Sequence, residues 1–147
     1  MPNITLNTKV QGSVEEVFAR FDQKLFQYLK PPSFIADIVL YEGSEIGNRV
    51  SVDFKLPWRS LMEVEITEIH REPGHCFFVD QGIQMPFGIK SWRHAHHVIA
   101  AGPCVVIRDQ ITFESKYRWA NLFIWPAFYI SFYLRKPQYK KYFGVCQ

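Results

Sequence analysis

Cysteine is scarce in this chain: only Cys76, Cys104 and Cys146 occur among its 147 residues. An odd number without C-x-x-C spacing argues against a zinc ribbon or a disulfide framework, and fits reduced thiols in a cytoplasm. Long apolar runs are also missing. The segment Trp119 to Leu134 is about 16 residues long and is interrupted by Pro126, short of the roughly 20 that a spanning helix needs. The first ten residues alternate with polar side chains and lack the apolar stretch of a secretory signal, so a cytoplasmic location is expected. The sequence has no G-x-S-x-G elbow, no phosphate-cradling glycine loop and no dinucleotide fingerprint. Nor does it have repeats or low-complexity linkers, and this length predicts one domain over residues 1–147.

Acidic residues stop at Glu114, whereas Lys116, Arg118, Arg135, Lys136, Lys140 and Lys141 follow it. The net charge of +3 is therefore unevenly spread. Basic residues in late helical turns suit the helix macrodipole, and those flanking an apolar run also suit an anionic membrane surface. Nucleic acid is not expected as a partner, because no strand interleaves its aromatics with a stripe of Lys and Arg.

Aromatic side chains are abundant: 13 Phe, 7 Tyr and 4 Trp. With nearly half the chain apolar, they predict an ordered core and good cavity walls. Ile4, Leu6 and Val10 share one parity and read as a first strand that ends at Gly12. Ser13 and Glu16 form a capping box, after which Val14, Val17, Phe18 and Phe21 keep helical spacing. A second short helix through Leu25, Phe26 and Leu29 should stop before Pro31.

The period then changes to two. Strands are predicted around Phe34–Tyr41, Arg49–Leu56, Leu61–His70, His75–Ile83, Lys90–Ala100 and Cys104–Glu114, divided by turn signals such as Pro73-Gly74 and Gly102-Pro103. Their short connections require antiparallel neighbours. Val50, Val52, Phe54 and Leu56 are expected to face inward, with Arg49, Ser51, Asp53 and Lys55 outside. One face of the sheet must be covered, and Trp119 to Phe143, with ten aromatic residues, is the segment available. It predicts a long helix buried on more than one side, kinked or bounded by Pro126 and Pro137.

Chemistry concentrates in the last hairpin. Trp92, His94 and His96 alternate on one strand, and Asp109 lies between Ile107 and Ile111 on the next. In an antiparallel pair, one of the two histidines must stand opposite Asp109, within reach of a direct bond. Three functions are consistent with such a pair: a satisfied network that pins register, the polar end of a ligand pocket, or an acid/base couple with Asp109 orienting the imidazole. Two histidines two apart can also reach one ion with Asp109 as third ligand. No fourth ligand is indicated, so neither a metal nor any other cofactor is expected. Asp80 has ambiguous parity; it is expected to be exposed, and would join the cluster if it turned inward. His97, His70 and His75 are expected at the surface, and Cys76 and Cys104 as inert packing.

The order strand, two helices, six strands, long helix resembles the START-like or SRPBCC superfamily, which includes lipid-transfer domains, polyketide cyclases and pathogenesis-related proteins. The resemblance spans essentially the whole chain. Trp92-x-His94-x-His96, Asp109, Pro86-Phe87 and Tyr133-Leu134-Arg135 are similar to motifs of a bacterial branch. It implies an α+β helix-grip fold: a curved seven-stranded antiparallel sheet around the last helix, with a ligand cavity between. The catalytic residues of the cyclases do not map onto this chain, and the proline-broken aromatic helix departs from the family pattern. The expected function is binding, transport or sequestration of a small hydrophobic or amphipathic molecule such as a lipid or polyketide. Phe54, Trp92, Phe123 and Tyr133 would be walls, and Asp80, His94, His96 and Asp109 the polar end. The alternatives are a cyclase or dehydratase using the His–Asp pair, and a module that docks a partner or membrane surface.

Overall fold

The structure is a computed structural model that describes residues 2–147. β1 (Asn3–Gln11) strictly alternates exposed and buried positions, with Ile4, Leu6, Thr8 and Val10 turned inward. α1 (Val14–Ala19) starts where the Ser13 hydroxyl accepts the Glu16 N–H at 3.2 Å. α2 (Gln23–Leu29) starts where Asp22 accepts the Leu25 N–H at 3.1 Å, and it ends two residues before Pro31. Six strands follow: β2 (Ala36–Tyr41), β3 (Arg49–Phe54), β4 (Ser60–Glu72), β5 (His75–Gln84), β6 (Ile89–Ala101) and β7 (Cys104–Ser115). All pair antiparallel in one sheet of order β1-β7-β6-β5-β4-β3-β2. The first strand pairs with the last, which leaves β1 and β2, consecutive strands in the chain, at opposite edges of the sheet.

The C-terminal helical segment is divided. A 3-10 turn at Arg118–Ala120 leads into α3 (Asn121–Tyr133), and α4 (Arg135–Phe143) follows after Leu134. Pro126 lies within α3, whereas α3 ends at Tyr133, four residues before Pro137. Pro137 has no N–H for the Tyr133 carbonyl, and its ring crowds that same carbonyl. The expected burial on more than one side fails for α3. Phe132 is the one buried residue of α3, while Leu122 and Phe123 are 77% and 71% exposed. Among the described residues, no helix is long and apolar enough to cross a membrane.

Two apolar clusters fill the helix-covered side. One joins α1, α2 and α4 to the sheet through Phe21, Leu25, Phe78, Val98, Ile107, Tyr139 and Phe143. The other gathers Ile4, Leu6, Val64, Trp92, Ile111 and Phe113 under Phe132 of α3. The tail returns to the start of the sheet, where the Gln11 N–H donates to the Gly144 carbonyl at 2.9 Å and Val10 bridges Val145. This brings Cys104 and Cys146 to a Cα separation of 6.0 Å in a disulfide, which corrects the expectation of three reduced thiols. The cysteines are 42 residues apart, so only the return of the tail to the β7 start pairs them. Cys76 is the free, buried one.

On β3, Val50 and Val52 are partly buried as expected, but Leu56 is exposed and Ser51 is buried, donating to Glu63 at 3.0 Å. His70 is exposed as expected, whereas His75 and His97 are half-buried and bonded ring to ring at 2.9 Å. Phe77 lies on the same outer face, stacked on His70 at 4.4 Å.

Candidate functional site

The β6–β7 register sets His96 opposite Asp109 and His94 opposite Ile111. Across the other edge of β6, His94 stands opposite Asp80. Each histidine thus has one carboxylate directly opposite and the other on the diagonal, and all four residues are buried. The hydrogen bonds run diagonally: His94 Nε2 to Asp109 Oδ1 at 2.9 Å, and His96 Nε2 to Asp80 Oδ2 at 2.6 Å. The Trp92 indole N–H donates to the other Asp80 oxygen at 3.0 Å. The two imidazoles lie face to face, with centroids 3.6 Å apart.

Asp80 is the main correction at this site. Expected at the surface, it faces inward because β5 carries apolar residues on both faces: Cys76 and Phe78 with Asp80, and Val79 buried on the opposite side. The four polar residues lie where the two apolar clusters meet. His96 touches Phe21, Phe26 and Phe78 of the first cluster, with Phe78 stacked on it at 4.2 Å. His94 touches Trp92 and Phe132 of the second.

Electrostatics follow from burial and pairing. Burial alone would raise the Asp109 carboxyl, but the His94 hydrogen bond and charge, with Arg135 beyond, hold it down to about 2. Burial works against Asp80 in the same way and is outweighed by His96, His94 and Trp92, leaving that carboxyl below its usual range. His96 is pushed down to about 4 by burial and by His94, against the pull of Asp80. It is therefore a neutral imidazole at pH 7, donating from Nε2 to Asp80. Its Nδ1 is buried without a hydrogen-bond partner, 3.8 Å from Asp109 Oδ1.

Two further members were not expected here: Tyr139, which the sequence did not single out, and Arg135, noted only within the Tyr133-Leu134-Arg135 motif. Arg135 and Tyr139, one turn apart on α4, bring a guanidinium and a phenol to Asp109. Burial and Asp109 push the Tyr139 hydroxyl far above the usual tyrosine range. Tyr139 Oη and Arg135 Nη1 are both buried and make no hydrogen bond of good geometry, although the phenol faces both the guanidinium and Asp109. Their spacing of four residues was the available signal, since it places both on one helix face. Chemically, the arrangement offers a neutral imidazole lone pair, a fixed carboxylate and two unsatisfied donors in an aromatic surround.

No protein-family model matches the chain, and no curated protein sequence does. Solved structures do match in shape. Norcoclaurine synthase from Thalictrum flavum superposes with a TM-score of 0.61 over 82% of this chain and 73% of its own, at 16% identity. A protein from Arthrobacter aurescens gives 0.61 over 91% and 80%, at 14% identity. The ginseng major latex-like protein 151 gives 0.55 over 90% and 96%, at 14% identity.

This chain has the helix-grip fold.

Within that helix grip, the expected site residues separate into two groups. Asp80, Trp92, His94, His96 and Asp109 are joined in one buried network. Phe54, Phe123 and Tyr133 lie elsewhere: Phe54 packs edge-on against Phe87, Phe123 against the exposed Trp119, and the half-exposed Tyr133 stacks on Tyr129. A cleft of about 560 Å³ opens instead between α1, the start of α2 and the β4–β5 turn. Phe18, Phe21, Cys76 and Phe78 form its apolar lining, and Glu15, Asp22, Glu45, Arg71 and Glu72 contribute charge. Phe78 and Phe21 thus separate this cleft from His96.

Proposed function

We propose that this protein binds a small amphipathic molecule, with an apolar body and a hydroxyl-sized polar group, in the interior of the helix grip. The observation that carries the reading is the pair of unpartnered buried donors, Tyr139 Oη and Arg135 Nη1, beside Asp109. Each such group costs about 1–3 kcal/mol while it remains unsatisfied. A ligand hydroxyl relieves that cost, because it can donate to Asp109 while accepting from Arg135 or Tyr139. The cleft floored by Phe21 and Phe78 has an apolar lining that suits the body of such a molecule, and those two rings must part for it to reach the polar network. Lipid-like and polyketide-like alcohols are the classes that meet both demands.

Native mass spectrometry of freshly purified protein tests this. The expected result is an adduct of a few hundred daltons that is lost on denaturation and weakened by Tyr139→Phe. A clean mass, together with no rise in melting temperature when medium-chain alcohols are added, counts against it.

A second reading is favoured by the exposed apolar surface of α3: docking on an anionic bilayer. Trp119, Leu122, Phe123, Ile130 and Leu134 are exposed, and no acidic residue follows Glu114. Lys116, Arg118, Lys140 and Lys141 supply complementary charge to acidic headgroups. Flotation with phosphatidylglycerol-containing vesicles, lost in neutral vesicles, is the expected result. Absence of flotation accompanied by a dimer in solution would assign the face to a second copy of the chain.

A further inference from the structure

We infer that Asp80, His94 and His96 form a binding site for a divalent transition-metal ion of the zinc type, with Asp109 holding the two histidines from behind. The inference is independent of whether a small molecule binds beside it. One donor atom from each of the three residues lies within 4.8 Å of the others, and all three residues are buried. The nearest set is Asp80 Oδ2 with His96 Nε2 at 2.6 Å and His94 Nδ1 at 3.8 Å. An ion with bonds of about 2.0–2.2 Å enters by opening the His96–Asp80 contact and drawing His94 Nδ1 inward.

The surrounding contacts are those a metal site requires. Metal-bound histidines hold their second ring nitrogen on a carboxylate, carbonyl or water, which fixes the tautomer and raises ligand basicity. His94 Nε2 already sits on Asp109 Oδ1 at 2.9 Å. Trp92 holds Asp80 Oδ1, so that Oδ2, bonded to His96 Nε2 without an ion, is the oxygen that turns to coordinate. His96 Nδ1 is the unexplained atom, buried and unpartnered at 3.8 Å from Asp109 Oδ1. Once His96 Nε2 coordinates an ion, its proton resides on Nδ1 and that N–H points to Asp109. Asp109 then accepts from both imidazoles, and no nitrogen of either ring remains orphaned. Two imidazole nitrogens and one carboxylate oxygen are a donor set for zinc, iron(II) or cobalt(II) rather than for calcium or magnesium. With three protein ligands, the ion keeps an open position toward the interior.

The other close histidine pair supplies the control. His75 and His97 are bonded to each other on the outer face and are the residues on which adventitious metal would collect. The experiment uses the full chain without an affinity tag, stripped with chelator, loaded with zinc chloride, desalted and measured by elemental analysis. One zinc per chain is expected, retained in the double variant His75→Gln/His97→Gln and lost in Asp80→Asn. Asp109→Asn should weaken binding by about 10–100-fold. Cobalt(II) locates the site in the unmutated fold, since an ion there quenches an emission component that is missing in Trp92→Phe. No stoichiometric metal, metal that persists in Asp80→Asn, or metal lost with His75 and His97 would each overturn the inference.

Discussion

The two C-terminal helices reverse what their compositions suggest. α3 is apolar around its whole circumference and contributes one buried residue, Phe132. α4 carries Arg135, Lys136, Lys140 and Lys141 within nine residues and contributes Tyr139 and Phe143 to the core. Hydrophobic content says how favourable burial would be, while placement decides whether it happens. Tyr139 and Phe143, four apart, form a stripe that α4 lays against β1 and α2, stacking on Phe21. α3 has no polar face to say which side points inward, and only its Ile124, Phe128, Tyr129 and Phe132 edge finds the sheet. The surplus apolar surface of α3 is not used in folding the single chain, and the docking proposed above would give it a use.

The largest effect expected from breaking this contrast is at Tyr139. Tyr139→Ala, by chemical denaturation, should cost about 3–5 kcal/mol, as removal of a buried aromatic ring does. Tyr139→Phe should be neutral or stabilising in ligand-free protein, because it deletes a buried hydroxyl that has no partner. A large loss in Tyr139→Phe would mean that a bond to that hydroxyl supports the fold.

Acid should act next most strongly, through the network rather than through either helix. His96 titrates at about 4 in the folded protein against 6.5 in the unfolded chain. Its folded value is depressed, so the unfolded state binds the proton first and stability falls as pH drops from 6.5 toward 4. The loss approaches roughly 3 kcal/mol, since each tenfold difference in proton affinity between the two states is worth about 1.4 kcal/mol. Asp109, about 2 folded against 3.8 unfolded, extends the decline below pH 4. Denaturation midpoints measured between pH 7 and pH 4 check the sign: a protein equally stable at both would place His96 outside the buried network. A smaller loss, about 1–3 kcal/mol at pH 7, is expected for Asp80→Ala, which orphans the Trp92 N–H and the His96 N–H together. Near-UV circular dichroism of Trp92 should change in the same variant.

Strand alternation made most of this legible from the sequence. β6 and β7 match their predicted spans to within a residue, and the parity of Trp92, His94, His96 and Asp109 was enough to bring a His–Asp pairing into view. What parity could not decide was β5. A strand with Phe77 and Val79 on one side and Cys76 and Phe78 on the other is apolar on both, so Asp80 had no sequence signature of its direction. The outer apolar layer there is completed by His70, His75 and His97 from β4, β5 and β6 around Phe77. The Cys104–Cys146 link was hidden for a different reason. It depends on the tail crossing back to Val10 and Gln11, a long-range placement that no local pattern encodes. Helix existence was readable from the composition of 119–143, but its outward face was not, because uniform apolarity carries no phase.

The smallest change in stability should come with the largest change in surface behaviour. Leu122→Ser and Phe123→Ser replace side chains that are mostly solvent-exposed, so unfolding free energies should stay within about 0.5 kcal/mol of the parent. Vesicle flotation, if α3 is the docking face, should drop sharply in the same two variants, because the apolar area that enters the lipid interface is what they remove. Lys140→Glu and Lys141→Glu separate the two contributions. They leave that apolar area intact and should weaken flotation only on phosphatidylglycerol, increasingly so as salt is lowered and the charge is less screened. Variants that unfold as readily as Tyr139→Ala would show instead that the exposed side of α3 is part of the core of an assembled form. The contrast between the two helices would then lie between a folding contact within one chain and a folding contact between two.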